Sequence, residues 1–169
     1  MTQKQTTRFR NQAEPMLEPG ESLLDIAVIQ PARGATSVGL GLAGLAGDAI
    51  AGIGAVKGGQ GSLANGFPEN MSSAAWLSLL CVTDRRVLFV LTQPGYSEAR
   101  AAKGLSKPPR LVWQVPRSFV AGIERRPRLQ LMAKFRIHFV DGSSASVMTM
   151  RRRTIESLSS VLGAANPRT

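Results

Sequence analysis

LQLMAKFRIHFV, residues 129–140, decides how this chain is read. Leu129, Leu131, Ala133, Phe135, Ile137 and Phe139 alternate with Gln130, Met132, Lys134, Arg136 and His138. A period of two puts one apolar face on a core and one polar face in water, the pattern of a half-buried strand in an antiparallel sheet. Asp141-Gly142 follows directly and supplies a favoured hairpin turn into SSASVMTM, so a second strand is expected over 143–150.

The same reasoning extends outward. WLSLLCVT (76–83) and RVLFVLT (86–92) are two apolar runs of strand length separated by Asp84-Arg85, which predicts a tight hairpin. Asp84 suits its turn because a short carboxylate can accept from the amides just beyond it. RLVWQVP (110–116) and SFVAGIE (118–124) read as two further strands, with Pro116 and Pro127 marking edges or boundaries. Upstream, Pro19-Gly20 punctuates the chain before SLLDIAVIQ (22–30), the first strand. The segment 93–110, rich in Gly, Pro and charge, is expected to be an exposed, mobile linker. The period changes after Met150: Ile155, Leu158 and Leu162 lie at i, i+3 and i+7, and Gly163 stands where a helix ends, predicting a helix over 154–162. About seven strands followed by one amphipathic helix give a mainly β, α+β domain. No alternation of strands and helices suggests a parallel sheet.

At 169 residues the chain is one domain's worth, able to bury roughly two thirds of its unfolded surface. Its parts are a polar N-terminal segment (1–16), the domain (17–163) with an insertion (32–74), and a tail (164–169). Cys81 is the single cysteine, so neither an intramolecular disulfide nor a cysteine metal cluster is available. With no apolar leader at the N-terminus, this favours a cytoplasmic setting. The net charge of +10 is unevenly placed: residues 1–84 hold five Lys/Arg against seven Asp/Glu, and residues 85–169 hold sixteen against four. A field of that strength draws anionic partners, phospholipid surfaces and nucleic acids first among them.

No catalytic constellation stands out. His138, the one histidine, falls on the outward side of its strand, and Asp84 and Asp141 are explained by turns. Lys57 is followed by Gly58 where a phosphate loop needs Ser or Thr. The chain therefore reads as a non-enzymatic module without metal or cofactor. Its most informative polar feature is Arg151-Arg152-Arg153 at the start of the C-terminal helix, where the helix dipole disfavours cations by about 0.3–1 kcal/mol each. An anion there would relieve this repulsion and use the free amides; equally, the arginines could reach into water or pair with Glu156. Arg125, Arg126 and Arg128 around Pro127 form a second basic cluster. Nucleic acid ranks below a membrane surface, because the basic half has few aromatics outside the expected core for stacking bases.

GATSVGLGLAGLAGDAIAGIGAVKGGQG (34–61) is harder to place. Leu42, Leu45, Ala49, Ile50, Ile53 and Val56 share one helical stripe, opposite a small face that includes Gly44 and Gly47. Residues 37–56 are long enough to span a bilayer, but they contain six glycines and Asp48 and lack flanking aromatic or basic belts. The expectation is an inserted helix or helical hairpin docked on the domain or on a second copy, the latter making a homo-oligomer; membrane insertion is the alternative.

Strands in this order, with CVTDRRVLFV (81–90) matching a Leu-Thr-Asp-x-Arg-hydrophobic turn, a late Asp-Gly turn and a terminal amphipathic helix, resemble the bacterial pleckstrin-homology-like (GRAM-like) domains over most of 17–163. That resemblance implies a bent, roughly seven-stranded antiparallel barrel capped by its C-terminal helix, used for binding lipid or protein. The basic cluster that eukaryotic phosphoinositide binders carry between their first two strands is not matched. Only Arg33 and Lys57 fall there.

Overall fold

The computed structural model describes residues 3–31, 56–67, 76–125 and 133–163. Its elements are α1 (Gln3–Ala13), β1 (Leu23–Pro31), β2 (Val56–Lys57), β3 (Leu77–Thr83), β4 (Arg86–Thr92), α2 (Glu98–Ala102), β5 (Arg110–Pro116), β6 (Val120–Arg125), β7 (Ala133–Phe139), β8 (Ser144–Thr149) and α3 (Arg152–Leu162). Short 3-10 turns follow α1 (Glu14–Met16) and β5 (Arg117–Phe119).

The strands form one antiparallel sheet in the order β5-β4-β3-β1-β8-β7-β6, with β2 added beside the start of β8. Two meanders thus meet at β1. Its residues up to Ile29 pair with β3, while Gln30 and Pro31 pair with Met148 and Val147 of β8. Expected and observed strands agree to within a residue or two for β1, β3, β4, β5 and β8. β7 keeps the expected alternation from Ala133 to Phe139, buried and half-buried in turn; the expected start at Leu129 and Leu131 lies outside the described residues. The strand expected over 118–124 begins only at Val120, because Arg117–Phe119 turns the corner as a 3-10 helix.

Two apolar layers hold the sheet. On the inner side α3 inserts Ile155, Leu158 and Leu162 beside Ile29, Leu80, Phe89, Phe135 and Ile137, as its stripe predicts, and Phe67 packs edge-on against Phe89 and Trp113. The main chain ties the helix down as well, with the Ile123 amide donating to Gly163 O at 3.0 Å. On the outer side Ile26, Leu79, Cys81, Leu88 and Val90 are covered by Phe9 and Ala13 of α1. β3 and β4 are therefore buried on both faces, which explains why they are continuous apolar runs rather than alternating ones. The polar N-terminal segment, for which the pattern predicts no element, supplies this outer layer. Likewise the 93–110 linker carries the short helix α2, capped by Ser97.

The β3–β4 turn is built differently from expectation. Thr83 Oγ1, not Asp84, accepts from the amides of Arg85 and Arg86, at 3.1 and 2.7 Å. Asp84 instead reaches back to the start of β1 and accepts from the Ser22 amide at 2.9 Å. A hydroxyl one residue earlier sits inside the turn, leaving the exposed carboxylate free to bond across it. Asp141-Gly142 forms the β7–β8 turn as expected, with Gly142 at φ 78°. Asp141 also accepts from the Leu63 amide at 2.7 Å and from Ser143, so it clamps the 59–67 loop to the hairpin. Gly58 is needed in that clamp, since its φ is 153° and a Cβ there would stand 2.9 Å from Ser143 Cβ.

Candidate functional site

Antiparallel order fixes which residues meet at each end of the sheet. β1 and β4 finish where β3 and β5 begin, and β6 and β8 finish where β7 and α3 begin; β8 runs antiparallel to β1, and their staggered pairing at Gln30–Met148 and Pro31–Val147 sets the end of β8 beside the end of β1. The sequence places cations at these boundaries: Arg110 opens β5, Arg125 closes β6, Lys134 is second in β7, and Arg151, Arg152 and Arg153 lead into α3. All except the half-buried Lys134 are exposed. The β4–β5 connection carries exposed Arg100, Lys103 and Lys107 on the Arg110 side.

The two arginine clusters expected from sequence converge, as far as they are described. Arg125 Nη1 lies 3.9 Å from Glu156 Oε1, and Glu156 is one turn along α3 from Arg152 and Arg153. Both partners are more than half exposed, so this pair adds little stability, within about 1 kcal/mol. Its interest is positional, because it sets Arg125 beside the first turns of α3. Arg126 and Arg128 lie outside the described residues. So do Leu42, Gly44, Leu45, Gly47, Ile50 and Ile53 of the Gly/Ala-rich stretch.

The start of α3 is electrostatically unrelieved. Arg151 occupies the N-cap position in extended conformation, contributes no side-chain cap, and no acid stands in the first turn. The amides of Arg152 and Arg153 therefore add to the positive end of the helix dipole. Met150, directly before them, is 76% exposed, the most exposed large apolar side chain among the described residues. It shares the lining of one cleft with Arg151.

The opposite end is neutralised internally. Glu21, its side chain fully buried, accepts from Arg86 Nε at 3.0 Å and Nη2 at 2.5 Å and from Thr83 Oγ1 at 2.6 Å. The Arg86 hydrogen bonds hold its carboxyl down to about 2 against the opposing effect of burial, and Glu21 in turn raises Arg86. Arg86 also meets Glu18 at 3.1 Å and donates to Met16 O at 3.4 Å. The charge of Arg86 is thus taken up within this network, while the neighbouring Arg85 is exposed.

Other chemistry-bearing groups are engaged structurally. His138 Nε2 lies 2.7 Å from Glu124 Oε2 on the outer face of β6–β7. Cys81 is buried, and burial pushes its thiol up to about 12, far from a reactive thiolate. Among the described residues no three metal-ligating side chains gather, and no helix is long and apolar enough to cross a membrane. A larger groove of about 660 Å³ between α1 and the β4–α2 turn is lined by residues with polar side chains, among them Arg8, Asn11, Gln12 and Glu98. Arg8 and Gln12 both donate to Tyr96 O within it, and Gln12 also accepts from Thr92.

Sequence reasoning singled out Arg125 and Arg151–Arg153 and did not single out Arg110, Lys134 and Met150. The signal was present: read boundary by boundary rather than as runs, the basic residues recur at alternate strand ends. Comparison of the chain with family models, curated proteins and solved structures returns no match.

Proposed function

We propose that the chain is a non-enzymatic binding module that meets an anionic surface with the basic end of its sheet, most simply the acidic headgroups of a membrane's inner leaflet. The observation that carries this reading is the grouping of Arg125, Lys134 and Arg151–Arg153, with exposed Met150 beside them, where the end of β8 meets the end of β1, together with Arg110 over the Trp76 ring at the start of β5, whereas the self-neutralised Glu21–Arg86 network lies at the start of β1. Each Lys or Arg near such a surface contributes about 1 kcal/mol, so six would hold the protein weakly and reversibly. A bent sheet of two meanders sharing β1, with a C-terminal helix on its inner face, supports assigning the domain to the pleckstrin-homology-like architecture.

Vesicle sedimentation tests the function. The protein should pellet with vesicles containing acidic lipid and not with neutral ones, and salt should release it. Replacing Arg151, Arg152 and Arg153 together by glutamine should weaken binding about a hundredfold. Equal binding to neutral vesicles would sink the proposal. Oligomers forming without lipid would favour an assembly module instead, and a steep salt dependence with oligonucleotides would favour nucleic acid.

A further inference from the structure

Beside the arginines, a cleft of about 220 Å³ opens between α1 and the β8–α3 junction. Phe9, Val28, Leu77 and Met150 give it mostly apolar walls, Gln5 of α1 adds a polar side chain, and Arg151 and Thr154 stand at the start of α3. The hydroxyl of Thr149, also in the lining, is occupied in donating to Val28 O at 3.1 Å, so it does not make the floor polar. The volume is below the about 300–1,000 Å³ of pockets that engulf a drug-sized ligand, so the cleft suits part of a molecule. Apolar walls with a cation on the rim select an apolar tail carrying an anionic head.

We infer that this cleft receives the end of a hydrocarbon chain from an anionic lipid whose phosphate lies against Arg151 and the first amides of α3. The inference rests on the surface-binding reading and deepens it: arginines alone hold any anionic surface, whereas a seated chain makes the contact specific for an amphiphile. Met150 is then a wall of the cleft and an exposed residue at once, positioned to follow the chain into the headgroup layer.

The probe is a series of monomeric n-alkyl phosphates titrated into the full-length protein, followed by calorimetry and by the fluorescence of Trp76, which adjoins Leu77 in the chain. Affinity should rise about fourfold per methylene and then level off once the cleft is full. Arg151→Gln should weaken the longest ligand about fivefold at every chain length. Met150→Asp, at an exposed site that does not threaten folding, should weaken it about tenfold and flatten the chain-length dependence. No binding, binding independent of chain length, or binding unmoved by both substitutions overturns the inference. It is equally overturned if alkyl phosphate binds only after residues 37–54 are deleted, because the cleft is then the seat of that segment. Sedimentation of the same variants with acidic vesicles separates the two claims: vesicle binding without alkyl phosphate binding removes the cleft and leaves the basic surface standing.

Discussion

The two faces of the sheet are each covered by an eleven-residue helix, and the two helices are held in different ways. α3 presents an apolar stripe, and Ile155, Leu158 and Leu162 disappear into the larger core. α1 is QKQTTRFRNQA, a polar sequence that gives the outer core only Phe9 and Ala13. Polar contacts secure the N-terminal layer: Gln12 bonds Thr92 and Tyr96 O, and at the exit Met16 O, Glu18 and Glu21 all engage Arg86. One helix is bound along its length by hydrocarbon, the other by polar contacts that end in a buried ion pair. The first should yield to a charge in its stripe and the second to acid.

The largest effect is expected from Leu158→Asp, which puts an unpaired carboxylate at a fully buried position. Loss of the cooperative melting transition is the expected outcome, and a variant that melts like the parent would show that α3 is not seated there. Next is Glu21→Gln. Removing one member of a buried pair costs about 3–5 kcal/mol, and because the damage is on the outer layer, urea denaturation should show that loss while Leu158 and the inner core retain their protection from hydrogen exchange.

Acid gives a related but somewhat smaller effect. Glu21 is lowered from 4.5 to about 2, so its contribution is complete above pH 4.5 and is lost as pH falls through that window. That lowering corresponds to about 3 kcal/mol. Urea midpoints measured at several pH values should decline between 4.5 and 2, and Glu21→Gln should abolish that part of the decline. Phe9→Ala comes next, at about 2 kcal/mol, less than a central Phe because this ring lies beside the open cleft. It should also speed thiol labelling of Cys81, which α1 covers; an unchanged labelling rate would mean that α1 does not control access. The smallest is Glu156→Gln, within about 1 kcal/mol in stability but raising binding to acidic vesicles by removing a carboxylate from the basic end.

The contrast between the helices also shows what a single sequence discloses. α3, β7 and the Asp141-Gly142 turn are legible because each depends on neighbours a few residues away: a stripe, an alternation, a turn dipeptide. α1 is not legible, since its reason for being helical is the apolar outer face of β3 and β4, tens of residues downstream. The uninterrupted burial of Leu79 to Val82 and Val87 to Leu91 was a hint that something must cover both sides. Arg86 illustrates the same limit. In sequence it is part of a basic turn; in the fold Glu21 claims it, 65 residues away, and takes up its charge. Arg151–Arg153 remained legible because, among the described residues, no ion pair or side-chain hydrogen bond takes up their charge.

One strand has a consequence for how the molecule comes into being. β1 is made early, yet its last residues pair with β8, and Thr149 Oγ1 bonds Val28 O across 121 residues. The β3-β4-β5 and β6-β7-β8 meanders need only local reversals and can form while the chain is still being synthesised, but the seam between them waits for nearly the whole polypeptide. A nascent chain would therefore carry an open strand edge for most of its synthesis. The closing step, β8 meeting β1 with α3 behind it, sets the pace of folding and the period of greatest exposure to aggregation.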